Sequence, residues 1–138
     1  MIEQAIVEYL NTVTALTTLL GGQKIYYRRV PPLSGTATIK MPWVIVTNSG
    51  GMRTRDTQVS TEGRDTLTLY IEHNNPITGR AIAEAVLRAL ENYRGDMSPE
   101  RDLDIRCGSV RDLDGFQGSF KFIVTAYIRY RQTTAFPS

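Results

Sequence analysis

Over the first twenty residues apolar side chains fall at Ile2, Ala5, Ile6, Tyr9, Leu10, Val13, Leu16 and Leu20. That spacing puts one buried stripe on an α-helix. Thr12, Thr14, Thr17 and Thr18 weaken its second half, because β-branched side chains lose rotamer freedom in a helix. Gly21 and Gly22 supply a stop, so one helix is expected over residues 2–20. The pattern then changes. Lys24-Ile25-Tyr26-Tyr27 reads as a short strand ended by Pro31 and Pro32, with Tyr26 anchoring it on the core and Arg28 and Arg29 emerging at the rim. Residues 33–41 form a polar connection. Trp43 to Asn48 is β-rich and nearly all apolar, as expected of a strand covered on both faces.

Residues 50–65 have little apolar content and are too long for a core connection, which predicts an extended hairpin or a mobile loop. The next stretch alternates cleanly. Leu67, Leu69 and Ile71 point one way and Thr66, Thr68, Tyr70 and Glu72 the other. A second helix starts near Asn75-Pro76, with Thr78 as a competing cap, and runs to Gly95. Its stripe is Ile82, Ala85, Val86, Ala89, Leu90 and Tyr93. Leu103, Ile105 and Cys107 face inward from a further strand. The last strand buries Phe120, Phe122, Val124, Ala126, Ile128 and Tyr130. It turns Lys121, Ile123, Thr125, Tyr127, Arg129 and Arg131 outward, a face too aromatic and aliphatic for plain solvent. The element order is α–β–β–β–α–β–β. It predicts a single α+β domain over residues 1–138, with residues 132–138 as a tail. The expected architecture is an antiparallel or mixed β-sheet of about four to five strands with two helices packed on one face.

A chain of 138 residues with 41% hydrophobic and 22% charged residues has enough apolar content for one real core. The net charge of +2 is too small to imply a strong electrostatic partner. Only Lys24, Lys40 and Lys121 of the sixteen cations are lysine. Either interface use, where arginine forms bidentate pairs, or GC-rich coding produces that bias. Cys107 is the only cysteine, which excludes an intrachain disulfide and zinc sites built from several thiolates. The start has no secretion-signal pattern, and no run approaches the ~20 apolar residues of a membrane helix. A reducing, aqueous setting without membrane contact is expected.

No catalytic, cofactor-binding or metal constellation stands out. His73 is the only histidine, and its place before Asn74-Asn75-Pro76 suits a turn hydrogen bond. Cys107 alternates with apolar neighbours and reads as a small buried hydrophobe. The tetrapeptide Arg-Asp-Leu-Asp occurs at residues 101–104 and 111–114. Asp102 with Asp104, or Asp112 with Asp114, suits a solvated face compensated by Arg101, Arg106 and Arg111, then an arginine–carboxylate interface, and a hard cation least. Gly21-Gly22 and Gly50-Gly51 lack the further spacing of a phosphate loop. Tyr27, Tyr127 and Arg129 on a β face support an alternative reading as a small nucleic-acid-binding module.

The order of these features resembles one family. Leu19 to Gly21 end the first helix; then come Ile25-Tyr26, Pro31-Pro32, Pro42 to Val46, the alanine-rich helix Ala81 to Leu90, and the final strand Val124 to Tyr130. This is similar to the tail completion proteins of long-tailed bacteriophages, the tail terminator or tail-to-head joining proteins, including prophage-encoded members. The resemblance implies an α+β subunit of a homo-oligomeric ring, commonly a hexamer. That ring caps the tail tube and meets the head-neck connector, in a virion assembled in the host cytoplasm. It implies no enzyme activity and no cofactor. Candidate interface or lumen residues are Arg28, Arg29, Arg53 and Arg55, meeting Asp102, Asp104, Asp112 or Asp114 across subunits, with Tyr127 and Arg129 on the last strand. Arginines lining such a ring also suit loose phosphate contact with passing DNA.

Overall fold

The computed structural model describes residues 2–28, 41–56, 60–97, 100–113 and 119–133, the side chains at 50–56, 60–62, 100–102, 113 and 132–133 excepted. Most of the connection at 33–41, the end of the tail at 134–138, Arg29 and Asp114 lie outside the described residues. The helix expected over 2–20 is two helices, α1 (Ile2–Asn11) and α2 (Thr14–Leu20). The Thr12 hydroxyl donates to the Tyr9 carbonyl at 2.6 Å, and the Thr12 and Val13 amides donate three residues back, to Tyr9 and Leu10. A threonine that bonds the preceding turn in this way competes with the helical ladder. The break re-aims the chain so that Leu16 and Leu20 are still buried. Gly21, at φ 77°, then ends α2: its amide reaches Thr18 and that of Gly22 reaches Thr17.

The strands are β1 (Ile25–Tyr27), β2 (Trp43–Asp56), β3 (Ser60–His73), β4 (Arg94–Met97), β5 (Glu100–Cys107), β6 (Arg111–Leu113) and β7 (Phe120–Thr133). The helix α3 (Pro76–Leu90) joins β3 to β4. One mixed sheet runs β1-β2-β3-β7-β5-β4, with β1 parallel to β2 and every other pair antiparallel. β6 continues the line of β5 along the same side of β7. Among the described residues, seven strands and three helices replace the expected four to five and two. The extra strands β4 and β6, Arg-Gly-Asp-Met and Arg-Asp-Leu, are too short and polar to show alternation; backbone pairing places them in the sheet, with Met97 buried in the core.

The Asn75 side chain caps α3, accepting from the Ile77 and Thr78 amides at 3.0 and 3.2 Å, and Pro76 opens its first turn. The helix stops at Leu90, not Gly95. Asn92 takes φ 58°, its amide donates to the Ile105 carbonyl, and Ile105 donates back to Tyr93. Sheet pairing therefore takes the chain before the glycine does. Gly79 and Ala83 are buried in place of the expected Ala85, bringing α3 close to Phe122.

All three helices pack on one face of the sheet. Val44 and Val46, Leu67 to Ile71 at every second residue, Phe122, Val124, Ala126 and Ile128, and Leu103 with Ile105 meet Ile6, Leu10, Leu16, Leu20, Ile82, Val86 and Leu90. Trp43, Ile45 and Thr47 stay half-exposed, so Trp43 to Asn48 is covered on one side only. Phe120, expected inside, is 39% exposed. Ile25, 2% exposed, anchors β1 instead of Tyr26, which shares the register row of Ile45 on the open side. Tyr9 joins α1 to the end of α3: its ring meets Tyr93 edge-on at 5.0 Å, and its hydroxyl donates to Ala89 at 3.2 Å.

The fourteen-residue strands β2, β3 and β7 span about 45 Å, whereas α3 covers about 22 Å. The sheet therefore runs well past the helices. Where the cover ends, Asn48 donates to Glu3 of α1 and to Asp65, and Asp65 accepts from the Tyr130 hydroxyl at 2.8 Å.

Candidate interaction surface

Strand alternation and register lay out the uncovered face row by row. Tyr26, Ile45, Tyr70, Ile123 and Arg111 follow one another across β1, β2, β3, β7 and β6. Thr47, Thr68 and Thr125 form the next row, with Ser49 bonding the Thr68 hydroxyl at 2.8 Å and the Thr66 carbonyl at 3.0 Å. Beyond these lie Thr66, Tyr127 and Arg106, then Arg64, Arg129, Asp104 and Arg94. The surface grades from apolar through hydroxyl to cationic. Its apolar row is half-buried by its own neighbours, whereas Tyr127 is 54% exposed.

Of the residues singled out in the sequence, Tyr127, Arg129 and Asp104 come together here. Asp104 accepts from Arg106 Nε at 3.3 Å and lies 4.0 Å from Arg94 Nε. This carboxylate is compensated within its own chain, although by different arginines from those of its tetrapeptide. Asp112 faces the other way, its exposed carboxylate accepting from Arg80 of α3 at 3.0 Å. Arg28 leaves β1 at φ 69°, its guanidinium 5.1 Å from the Tyr27 ring centroid and its amide bonded to Val46. Arg53 and Arg55 lie on β2 near the hairpin end, and Asp102 lies on β5; their side chains fall outside the described set, as do Arg29 and Asp114 altogether. Tyr27 packs against the core on the helix side, so it shares no face with Tyr127.

Two residues of the cationic rows, Arg64 and Arg94, were missed, and Arg106, expected only as compensation for the aspartates, does pair with Asp104 on this face. Carrying the alternation of Thr66, Thr68 and Tyr70 back by two positions places Arg64 outward; Arg94 and Arg106 become neighbours only through register.

His73 Nδ1 accepts from the Asn74 amide at 2.9 Å. It pairs with Phe120 on one side of β7, and Cys107 pairs with Ala126 on the other, about 20 Å further along the strand. Burial, then the Glu91 carboxylate, pushes the Cys107 thiol up to about 12. Glu91 also accepts from the Cys107 amide at 2.9 Å. At pH 8 the folded protein should therefore react with iodoacetamide at least a hundredfold more slowly than the urea-unfolded chain, because thiolate is the nucleophile. Cys107 is half-buried against the core, not fully buried as expected, and equal rates by mass spectrometry would refute this placement. Among the described residues, no three His, Cys, Asp or Glu side chains cluster in a way that could hold a metal. None of the described helices is long and apolar enough to cross a membrane.

The family model described as tail completion protein gp17 matches residues 4–127. No curated protein matches significantly. Among solved structures, a chain of the virion of the native gene transfer agent particle superposes with a TM-score of 0.71. The match covers 96% of this chain and 94% of that one at 16% identity, which shows a shared fold.

Proposed function

The chain belongs to the tail completion protein gp17 family, a structural component of the phage virion tail, and from that premise we propose that its copies close into a ring that caps the tail tube and receives the head-neck connector. The observation that carries this reading is the one-sided sheet. Helices cover one face, while the other presents a broad apolar-to-cationic surface with Tyr127 exposed. A cyclic head-to-tail assembly needs two different patches on one chain, and the helix layer and the open sheet are such a pair. The surfaces act by fit, without covalent chemistry or a cofactor. Arg53 and Arg55, placed on β2 near the hairpin end, are assigned to contact with the tube or an adjoining subunit, and the resemblance implies a ring that is commonly six-membered.

The test uses tubes assembled from the cognate tail tube protein, imaged by negative-stain electron microscopy with and without the purified chain. The expected result is tubes of narrow length distribution carrying an annular density at one end. Unchanged lengths and bare ends would overturn the reading. Reversing Arg53 and Arg55 to glutamate should reduce the capped fraction; unchanged capping would remove the hairpin's role alone.

A further inference from the structure

We infer that the open sheet face docks on the helix layer of a second copy of the same chain, which rests on the ring reading and names the two faces that meet. By register the cationic rows of the open face carry Arg64, Arg94, Arg101, Arg106, Arg129 and Arg131 against the carboxylates Asp104 and Glu62. The whole chain is only +2, so the rest of it is net negative. Part of that negative charge is on the helix layer. Glu8 is exposed with only the neutral Gln4 amide beside it, at 3.5 Å, and Arg80 is divided between Glu84 at 3.6 Å and Asp112 at 3.0 Å. One guanidinium thus serves two carboxylates, and with Arg88 as the other exposed cation of α3, Glu8, Glu84 and Asp112 leave this side at −1. The helix side also exposes apolar bulk, Ile77 at 83% and Leu19 at 38%, while the sheet offers an apolar row beside its cationic one.

Composition favours a protein occupant over nucleic acid. Beside its threonines the face carries arginine and tyrosine, two residue types enriched in protein interfaces. Its one described lysine, Lys121, is held by Glu72 at 3.3 Å and lies 5.6 Å from the Tyr70 ring centroid. A phosphate-binding surface gains nothing from Glu72 and Asp104. The dimensions also suit a subunit contact. Four strands at ~4.8 Å spacing, over ten residue steps of ~3.4 Å, give a planar area on the order of 600 Å² before corrugation, against ~800 Å² per partner in a standard interface. Because the two faces lie on opposite sides of one layer, each copy offers its helix side to a further copy, and the contact propagates head to tail.

The experiment is a charge swap in the full chain, read by mass photometry and sedimentation velocity over a concentration series, with circular dichroism to confirm folding. Arg64→Glu with Arg129→Glu should raise the concentration needed for assembly at least tenfold, and Glu8→Arg with Glu84→Arg should do the same. A chain carrying all four changes should assemble like the wild type, as should an equimolar mixture of the two double variants. The neutral pair Arg64→Gln and Arg129→Gln should give an intermediate loss, which keeps the test valid if the reversed pair does not fold. Rings that form normally from folded reversed or neutral variants would overturn the docking of these faces while leaving the ring intact. Normal rings whose retention of a short oligonucleotide at low salt is lost would assign the face to nucleic acid and overturn it equally. A wild-type chain that stays monomeric at every concentration and on tube ends would sink the ring reading, and this interface with it.

Discussion

Replacing Gly79 with valine should lower the unfolding free energy by about 3 kcal/mol, toward the upper end of overpacking costs. A Cβ built at Gly79 would stand 2.7 Å from Cε2 of the Phe122 ring and 3.3 Å from Cβ of His73. Phe122 is 4% exposed, wedged between α3 and the sheet, so its ring has nowhere to retreat. The opposing effect is helix propensity, where glycine is the poorer former by roughly 0.5–1 kcal/mol; the clash outweighs it. In urea the midpoint should fall by about 2 M for a slope near 1.5 kcal/mol/M. The control is Phe122→Leu. If the collision is the cause, Gly79→Val in that background should cost at least 1 kcal/mol less than in the wild type. A midpoint unmoved by Gly79→Val, or full additivity with Phe122→Leu, would mean that α3 does not lie this close to β7.

That close approach was only half legible in the sequence. The stripe on α3 and its Asn75 cap are local signals, and both are in place. Which small residue touches the sheet is not local. Ala85 is the natural choice from the stripe, but rotation of α3 onto β7 buries Gly79 and Ala83. The same division runs through the rest of the fold. Leu67, Leu69 and Ile71, and the set from Phe122 to Ile128, declare themselves by period-two alternation and are buried. β4 and β6 carry no such pattern, because backbone bonds to β5 and β7 place them and only Met97 of β4 is buried in the core. The break after Asn11 depends on one hydroxyl choosing the Tyr9 carbonyl.

The candidate surface follows the same logic. Tyr127 and Arg129 are outward by alternation within one strand, which the sequence shows directly. Their neighbours Arg64, Arg106 and Arg94 come from three other strands, and only the pairing register brings them adjacent. The two Arg-Asp-Leu-Asp repeats look equivalent along the chain and are not in space. Asp104 belongs to the open face and Asp112 to the helix side. Exposed pairs of this kind contribute ~0–1 kcal/mol each. Their consequence is a charge pattern that differs between the two faces.

Asn48→Leu should destabilise the protein by about 3 kcal/mol, since removing the donor leaves buried carboxylate without a partner. Glu3 is 5% exposed on the apolar stripe of α1, at helical spacing from Ile6, Val7 and Leu10. One of its oxygens takes the Asn48 amide, and the other has no partner in the structure. The same amide reaches Asp65 at 3.4 Å, and Tyr130 serves the far oxygen of Asp65. One side chain therefore stands between two carboxylates at the end of the core. Leucine keeps the branching of asparagine but is bulkier, so the electrostatic share of the loss is identified by its rescue at Glu3. Glu3→Gln in the Asn48→Leu background should recover more than half of it, because the group left behind is then neutral. Glu3→Gln alone should be neutral or stabilising by up to about 1 kcal/mol, since a buried ion with one unsatisfied oxygen costs more to desolvate than an amide. Urea midpoints of the four chains at pH 7 decide it. If Asn48→Leu is harmless, or if Glu3→Gln fails to relieve it, the carboxylate is solvated in solution and α1 is not fastened to the hairpin base by this contact.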